Sequence, residues 1–216
     1  MTITIREPGS AITHFIAMVL AALAAAPLLV KAAFDAGRIG VFSMAVFMTS
    51  MILLYGASTL YHSVNLSGHS LKIFRKIDHM MIFVLIAGSY TPVCLLVLEP
   101  QSGHTLLITV WAIAAVGMLV KAFWITCPKW FSSIIYIAMG WACLSVFGEL
   151  LTALSRPAFL CLLTGGLLHT AGGVIYALKL PVFNSIHKNF GSHEIFHLFV
   201  MGGSICHFIC MYQYIV

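Results

Sequence analysis

Long apolar runs, separated by brief polar stretches, make up most of the chain. Seven runs reach the length an α-helix needs to cross a hydrocarbon core, about 20 residues. They lie near 11–34, 38–62, 77–98, 104–125, 130–153, 157–180 and 194–215. The connectors are short. The pattern therefore predicts an all-α fold: one seven-transmembrane-helix bundle forming a single domain over 1–216, with no internal repeat and no low-complexity segment. The polar opening MTITIREPGS carries one arginine, and the run after it is long enough to span. It reads as a first helix rather than the core of a cleavable signal. Pro27 and Pro92 fall inside runs and predict kinks, tolerated in lipid when neighbours satisfy the freed carbonyls. Gly165, Gly166, Gly172 and Gly173 in the sixth run predict close helix–helix contact.

Composition agrees. Of 216 residues, 61% are hydrophobic and only 8% charged, and the mean hydropathy is +1.04. A soluble domain carries roughly a quarter charged residues, so most of this surface must face lipid. The formal net charge of +5 comes from eleven Lys and Arg against six Asp and Glu. These basic residues lie singly or in threes between the runs, which marks them as topology signals rather than a nucleic-acid surface. With the N-terminus in the cytoplasm, the inner side holds Arg6, Lys72, Arg75, Lys76, Lys121, Lys129, Lys179 and Lys188, and the outer side Lys31, Arg38 and Arg156. That excess predicts a cytoplasmic N-terminus and an extracytoplasmic C-terminus. Cys94, Cys127, Cys143, Cys161, Cys206 and Cys210 show no paired spacing of a disulfide framework. They read as small apolar fillers.

The exceptions to this apolar pattern carry the chemistry. Residues 193–197 read HEIFH at the head of the last run. Ionisable groups in lipid are costly and need partners. Ser58 and His62 end the second run and share a helix face; Asp78 opens the third, and His193 and His197 open the seventh. The run lengths and charge count put all five near the cytoplasmic face. Three imidazoles at one depth suit a catalytic zinc site, with three protein nitrogens and a fourth position for water. Asp78 and Ser58 would then sit beside that water. His14 has two readings, a second cavity-lining group or an interfacial histidine. Glu194 either supports the site or caps its helix, where a carboxylate suits the dipole. His169 and His207 lie deeper and are expected to hydrogen-bond across helices. Glu149 is expected to reach the outer interface. His79 follows Asp78 directly and is expected to point elsewhere, while His69 and His187 read as loop residues.

Four stretches together, EPGSAITH (7–14), STLYHS (58–63), RKIDHMMIFVLIAGSYTPVCLL (75–96) and HEIFHLFVMGGSICHF (193–208), resemble the bacterial hemolysin III family. That family is related to the progestin and adipoQ receptors, which include the adiponectin receptors, and more distantly to alkaline ceramidases. The resemblance implies a seven-helix membrane bundle with its N-terminus inside, multi-pass in the bacterial plasma membrane. It implies zinc held at His62, His193 and His197, Asp78 as the water-contacting carboxylate, and Ser58 as the motif serine. The family's first motif usually has Asn where this chain has Ser10. The family name implies haemolysis, yet no amphipathic, charge-lined segment suits a wide pore.

The reading that follows is a zinc-dependent hydrolase of lipid amide or ester bonds, or a regulator of membrane lipid state derived from one. Asp78 would act as general base and then acid. Ser58 would orient the water or steady the oxyanion. Membrane lipids are the expected substrate or ligand, and no nucleic acid. Three alternatives stand beside it: a receptor-like protein with purely structural zinc, a pore-forming cytolysin or channel, and an ion transporter with a relay through Asp78, His169, His207 and Glu149.

Overall fold

The computed structural model describes residues 5–178 and 190–216. Its helices are α1 (Pro8–Asp35), α2 (Gly37–Ser63), α3 (Gly68–Leu96), α4 (Pro100–Phe123), α5 (Lys129–Gly140), α6 (Phe147–Ala153), α7 (Arg156–Leu178) and α8 (Ser192–Cys210). A 3₁₀ turn, Ala142–Val146, joins α5 to α6, and a π-helical turn, Met211–Ile215, extends α8. Among the described residues there is no β-strand. With α5 and α6 counted as one span, seven helices are long and apolar enough to cross a membrane. The all-α, seven-span expectation is therefore met.

Consecutive helices α1 to α4 pack side by side, and α8 returns to lie between α1 and α7. Between α7 and α3 sits α5, which closes the ring. The α1–α2 reversal takes almost no chain because Gly37 has φ 60°, a left-handed value that costs glycine little. Half of the most apolar stretch of α2 and of α3 is buried, against 11% in the fifth span. Those two helices form the centre, where Phe47, Met48, Met51, Tyr55 and Phe83 interlock. The outward faces of the other helices are a belt of apolar side chains, among them Leu23, Phe34, Ile108 and Phe123, as hydrocarbon contact requires.

Several expectations need correction. The third helix begins at Gly68, not near 77, so His69 lies in its first turn and Asp78 well inside it rather than at its opening. Lys72, Arg75 and Lys76 ride on these added turns, their long stems carrying the charge back to water. The fifth span is not continuous. It breaks after Gly140, and Tyr90 of α3 satisfies both sides of the break: its hydroxyl donates to the Gly140 carbonyl at 2.6 Å and accepts from the Cys143 amide at 3.0 Å. Irregular backbone at membrane depth survives only when neighbours satisfy it in this way. The helices run on through Pro27 and Pro92. Lys121 is buried and bonded, not a surface charge. Lys179, Lys188, His187 and the end of the sixth predicted run lie outside the described residues.

The glycines of α7 behave unequally. A Cβ at Gly165 would collide with His207, and one at Gly172 would press on Phe199; at Gly173 it would crowd Ile137 and at Gly166 it would meet nothing. Close approach to α8 is thus real at Gly165 and Gly172. All six cysteines are free, in accord with their lack of disulfide spacing.

Candidate metal centre

Helices α2 and α8 bring the three predicted histidines together. One ring nitrogen from each of His62, His193 and His197 lies within 4.8 Å of the others. His62 Nε2 and His193 Nε2 stand 3.2 Å apart. His62 and His197 are almost fully buried, and the His193–His197 pair shares one face of α8 with ring centres 4.6 Å apart. Among the described residues no fourth His, Cys, Asp or Glu joins the group. The cluster could hold a metal ion.

The outer nitrogens of two rings are already oriented. His62 Nδ1 is bonded to the Glu7 carboxylate, so its Nδ1 carries a proton and its Nε2 is turned toward His193. The Thr13 hydroxyl gives its hydrogen to the Gly9 or Ser10 carbonyl, both at 3.0 Å. Its oxygen also lies 3.2 Å from His197 Nδ1, which fixes the direction of that ring. Such outer partners set the tautomer and direction of a ligating imidazole. His193 Nδ1 is buried with no hydrogen-bond partner.

The segment EPGSAITH supplies these partners from one stripe of the first helix and its lead-in. The Glu7 amide donates to the His62 carbonyl at 3.0 Å, strapping the chain across the end of α2. The bond from His62, helped by Arg6, holds the Glu7 carboxyl down to about 2. Ser10 Oγ donates to Glu194 Oε1 at 2.5 Å. Glu194 Oε2 in turn accepts from the Gly191 amide at 2.9 Å and caps α8, so of the two readings of Glu194 the cap holds, tied to α1. The serine that replaces the family's usual Asn has a definite task here. His14 stacks flat on His197, ring centres 3.6 Å apart, with both nitrogens buried and unpartnered. It is a cavity residue and not an interfacial one. The signal for this stripe was present: Glu7, Ser10, Thr13 and His14 recur every three or four residues on an otherwise apolar helix.

From the histidines a cavity of about 220 Å³ runs into the bundle, walled by α2, α3, α5, α7 and α8. Most of its wall surface is apolar, and the polar side chains that line it include His14, Ser58, Asp78, His193 and His197. Asp78 and Ser58 therefore share one chamber with two of the three histidines, and both are buried. His79 does not point away as expected. It lines the same chamber, and its Nδ1 stands 3.2 Å from Asp78 Oδ2. Side chains adjacent on a helix diverge by about 100°, yet both of these line the cavity. His79 Nε2 lies 3.3 Å from the Tyr176 hydroxyl on α7.

His169 and His207 line the deep end of this chamber with ring centres 5.2 Å apart. His207 bonds across helices, donating to the Leu162 carbonyl at 3.3 Å, whereas His169 donates within its own helix to Gly165 at 2.8 Å. Glu149 is not part of the lining. It accepts from the Glu99 amide and from Ser102 Oγ at 2.6 Å, capping the start of α4.

Comparisons with known proteins place the chain in a family. Residues 3–208 match the family described as Haemolysin-III related. The chain is 37% identical over 214 residues to the "Hemolysin-3 homolog" of Bacillus subtilis (strain 168), covering 99% of this chain and 96% of that one. It is 35% identical over 210 residues to "Hemolysin-3" of Bacillus cereus, covering 97% and 92%. The human "Monocyte to macrophage differentiation factor" is 28% identical over 176 residues, 79% of this chain and 69% of its own. With seven apolar spans and near-complete coverage of the two Bacillus relatives, the chain belongs to the haemolysin-III-related family of multi-pass membrane proteins.

Proposed function

We propose that this protein is a zinc-dependent membrane hydrolase of lipid amide or ester bonds, with its site at the cytoplasmic end of the bundle. The observation that carries the reading is the convergence of three imidazoles on one point at the mouth of an apolar cavity that also holds Asp78 and Ser58. The donor set fits zinc. Two nitrogens each 2.0–2.1 Å from one tetrahedral ion stand about 3.3 Å apart, close to the 3.2 Å between His62 Nε2 and His193 Nε2. Three ligands, with no fourth among the described residues, match the open pattern of catalytic rather than structural sites. A bound zinc supplies a polarised carbonyl and a water acidified to about pKa 7.

The chain's own residues do the rest. His62, His193 and His197 hold the ion, and Glu7 and Thr13 keep the first and third rings aimed. Asp78 takes the proton of the attacking water and returns it to the leaving amine or alcohol, while the neighbouring His79 ring keeps the carboxylate in place. Ser58 orients the water or meets the developing oxyanion. The apolar walls take the acyl chain and exclude bulk water.

Two measurements test this. Metal analysis of purified protein should find about one equivalent of zinc, lost in His62→Ala, His193→Ala and His197→Ala, because one missing ligand of three leaves too few to hold it. Asp78→Asn should keep the zinc and lower hydrolysis of a lipid amide or ester by about 10²- to 10⁴-fold, the usual worth of a positioned base. Zinc-loaded protein that cleaves nothing across a broad lipid panel would end the hydrolase reading.

A further inference from the structure

Where α4 gives way to α5, three side chains close a triangle. Lys121 Nζ donates to Cys127 Sγ at 3.1 Å and to Ser132 Oγ, and Sγ lies 3.2 Å from that hydroxyl. Relative exposures are 3%, 6% and 3% for Lys121, Cys127 and Ser132. Lysine is almost never this buried without a charged partner. All six carboxylates of the chain lie among the described residues, and none forms an ion pair with Lys121. The amine instead directs a strong donor at sulfur, a weak acceptor. Ser132 holds it there from the other side. Thr126 and Pro128, which flank the buried Cys127, are exposed. A basic neighbour is one of the features that make a cysteine reactive, and Lys121 is in contact with this one.

We propose that Cys127 and Lys121 form a peroxide-responsive cross-link site. Hydrogen peroxide transfers one oxygen to Cys127 Sγ: the O–O and S–H bonds break, an S–O bond forms and one water leaves, giving the sulfenic acid. The sulfur is oxidised by two electrons and the peroxide is reduced. Lys121 Nζ gives up a proton and attacks the sulfur. An N–S bond forms, the S–O bond breaks, and the hydroxyl leaves as water with a second proton from nitrogen. The product is a sulfenamide, the capture that sulfenic acids undergo with a nearby nitrogen. The link would tie the end of α4 to the lead-in of α5. Two α5 residues, Ser133 and Tyr136, wall the cavity, and Tyr136 donates to the His79 carbonyl at 3.0 Å. The site stands apart from the hydrolase reading and does not depend on it.

Peptide mapping of the full-length protein in detergent micelles, after brief exposure to a small excess of hydrogen peroxide, tests the proposal. A linked Lys121 is no longer a trypsin site, so the expected product is an uncut 77–129 peptide two hydrogens lighter than its unlinked mass. Dithiothreitol should restore cleavage. Cys127→Ser should abolish the product, but the wild-type map alone decides the question. Sulfinic or sulfonic acid at Cys127 beside a freely cleaved Lys121 overturns the proposal. So does a Cys127 that stays reduced while other thiols oxidise, or one that forms a disulfide.

Discussion

Glu7 offers the sharpest handle on the metal centre because its two contacts with His62 can be separated. Its amide donates to the His62 carbonyl and its carboxylate accepts from His62 Nδ1. Glu7→Gln leaves the backbone strap and the side-chain size intact and removes only the charge. Hydrogen bonds to an ionised acceptor are roughly twice as strong as neutral ones. Losing the outer partner of a ligating histidine typically weakens metal binding 10- to 100-fold, or about 1.4–2.7 kcal/mol at 1.36 kcal/mol per decade. Arg6, whose guanidinium lies 3.1 Å from Glu7 Oε2, would then face His62 uncompensated and push in the same direction. Thr13→Ala removes a neutral partner of His197, worth about 0.5–1.5 kcal/mol, or at most about tenfold. Competition against a chromogenic zinc chelator, with unfolding temperature as a control for the strap, reads both. The expected order of weakening is Glu7→Gln, then Thr13→Ala, with unfolding temperatures near wild type in metal-free protein. Glu7→Gln binding zinc within twofold of wild type would refute the idea that the carboxylate orients His62.

Other expectations concern the fold. Gly103→Ala places a Cβ against the Cys94 backbone carbonyl of α3, which cannot rotate away, so it should destabilise by about 1–3 kcal/mol. Gly166→Ala meets nothing and should be neutral or slightly stabilising by thermal unfolding in micelles. Tyr90→Phe strips the hydroxyl from both sides of the fifth-span break and should cost about 1–3 kcal/mol for the groups left unsatisfied; an unchanged denaturation midpoint would mean that something else satisfies them. The Glu7 carboxyl, held down to about 2, should titrate well below its free value of 4.5. Its stabilising contribution is full above about pH 4.5 and is lost as pH falls toward 2, which an infrared titration with Glu7→Gln as reference can follow.

Run lengths and a scarcity of charge were enough to determine seven spans and an all-α bundle, because a chain in lipid must satisfy its backbone internally. The spacing of HEIFH was enough to put His193 and His197 on one face of a helix. That His62 would meet them, and that Asp78 would share a chamber with two of them, could be expected from matching depth, but only helix packing decided it. Depth says nothing of rotation about each helix axis. Rotation explains the misses. His79 was dismissed from its position beside Asp78, and the stripe through Glu7, Thr13 and His14 had no known neighbour until α1 was laid against α2 and α8. The break in the fifth span is likewise invisible in an apolar run, since its hydrogen bonds go to Tyr90, fifty residues back in the chain. Lys121 read as a surface charge because burial of a cation depends on partners, Cys127 and Ser132, that the α4–α5 connection brings to it. Local pattern determined which segments are helices; the contacts between helices decided which faces meet, and the chemistry lies on those faces.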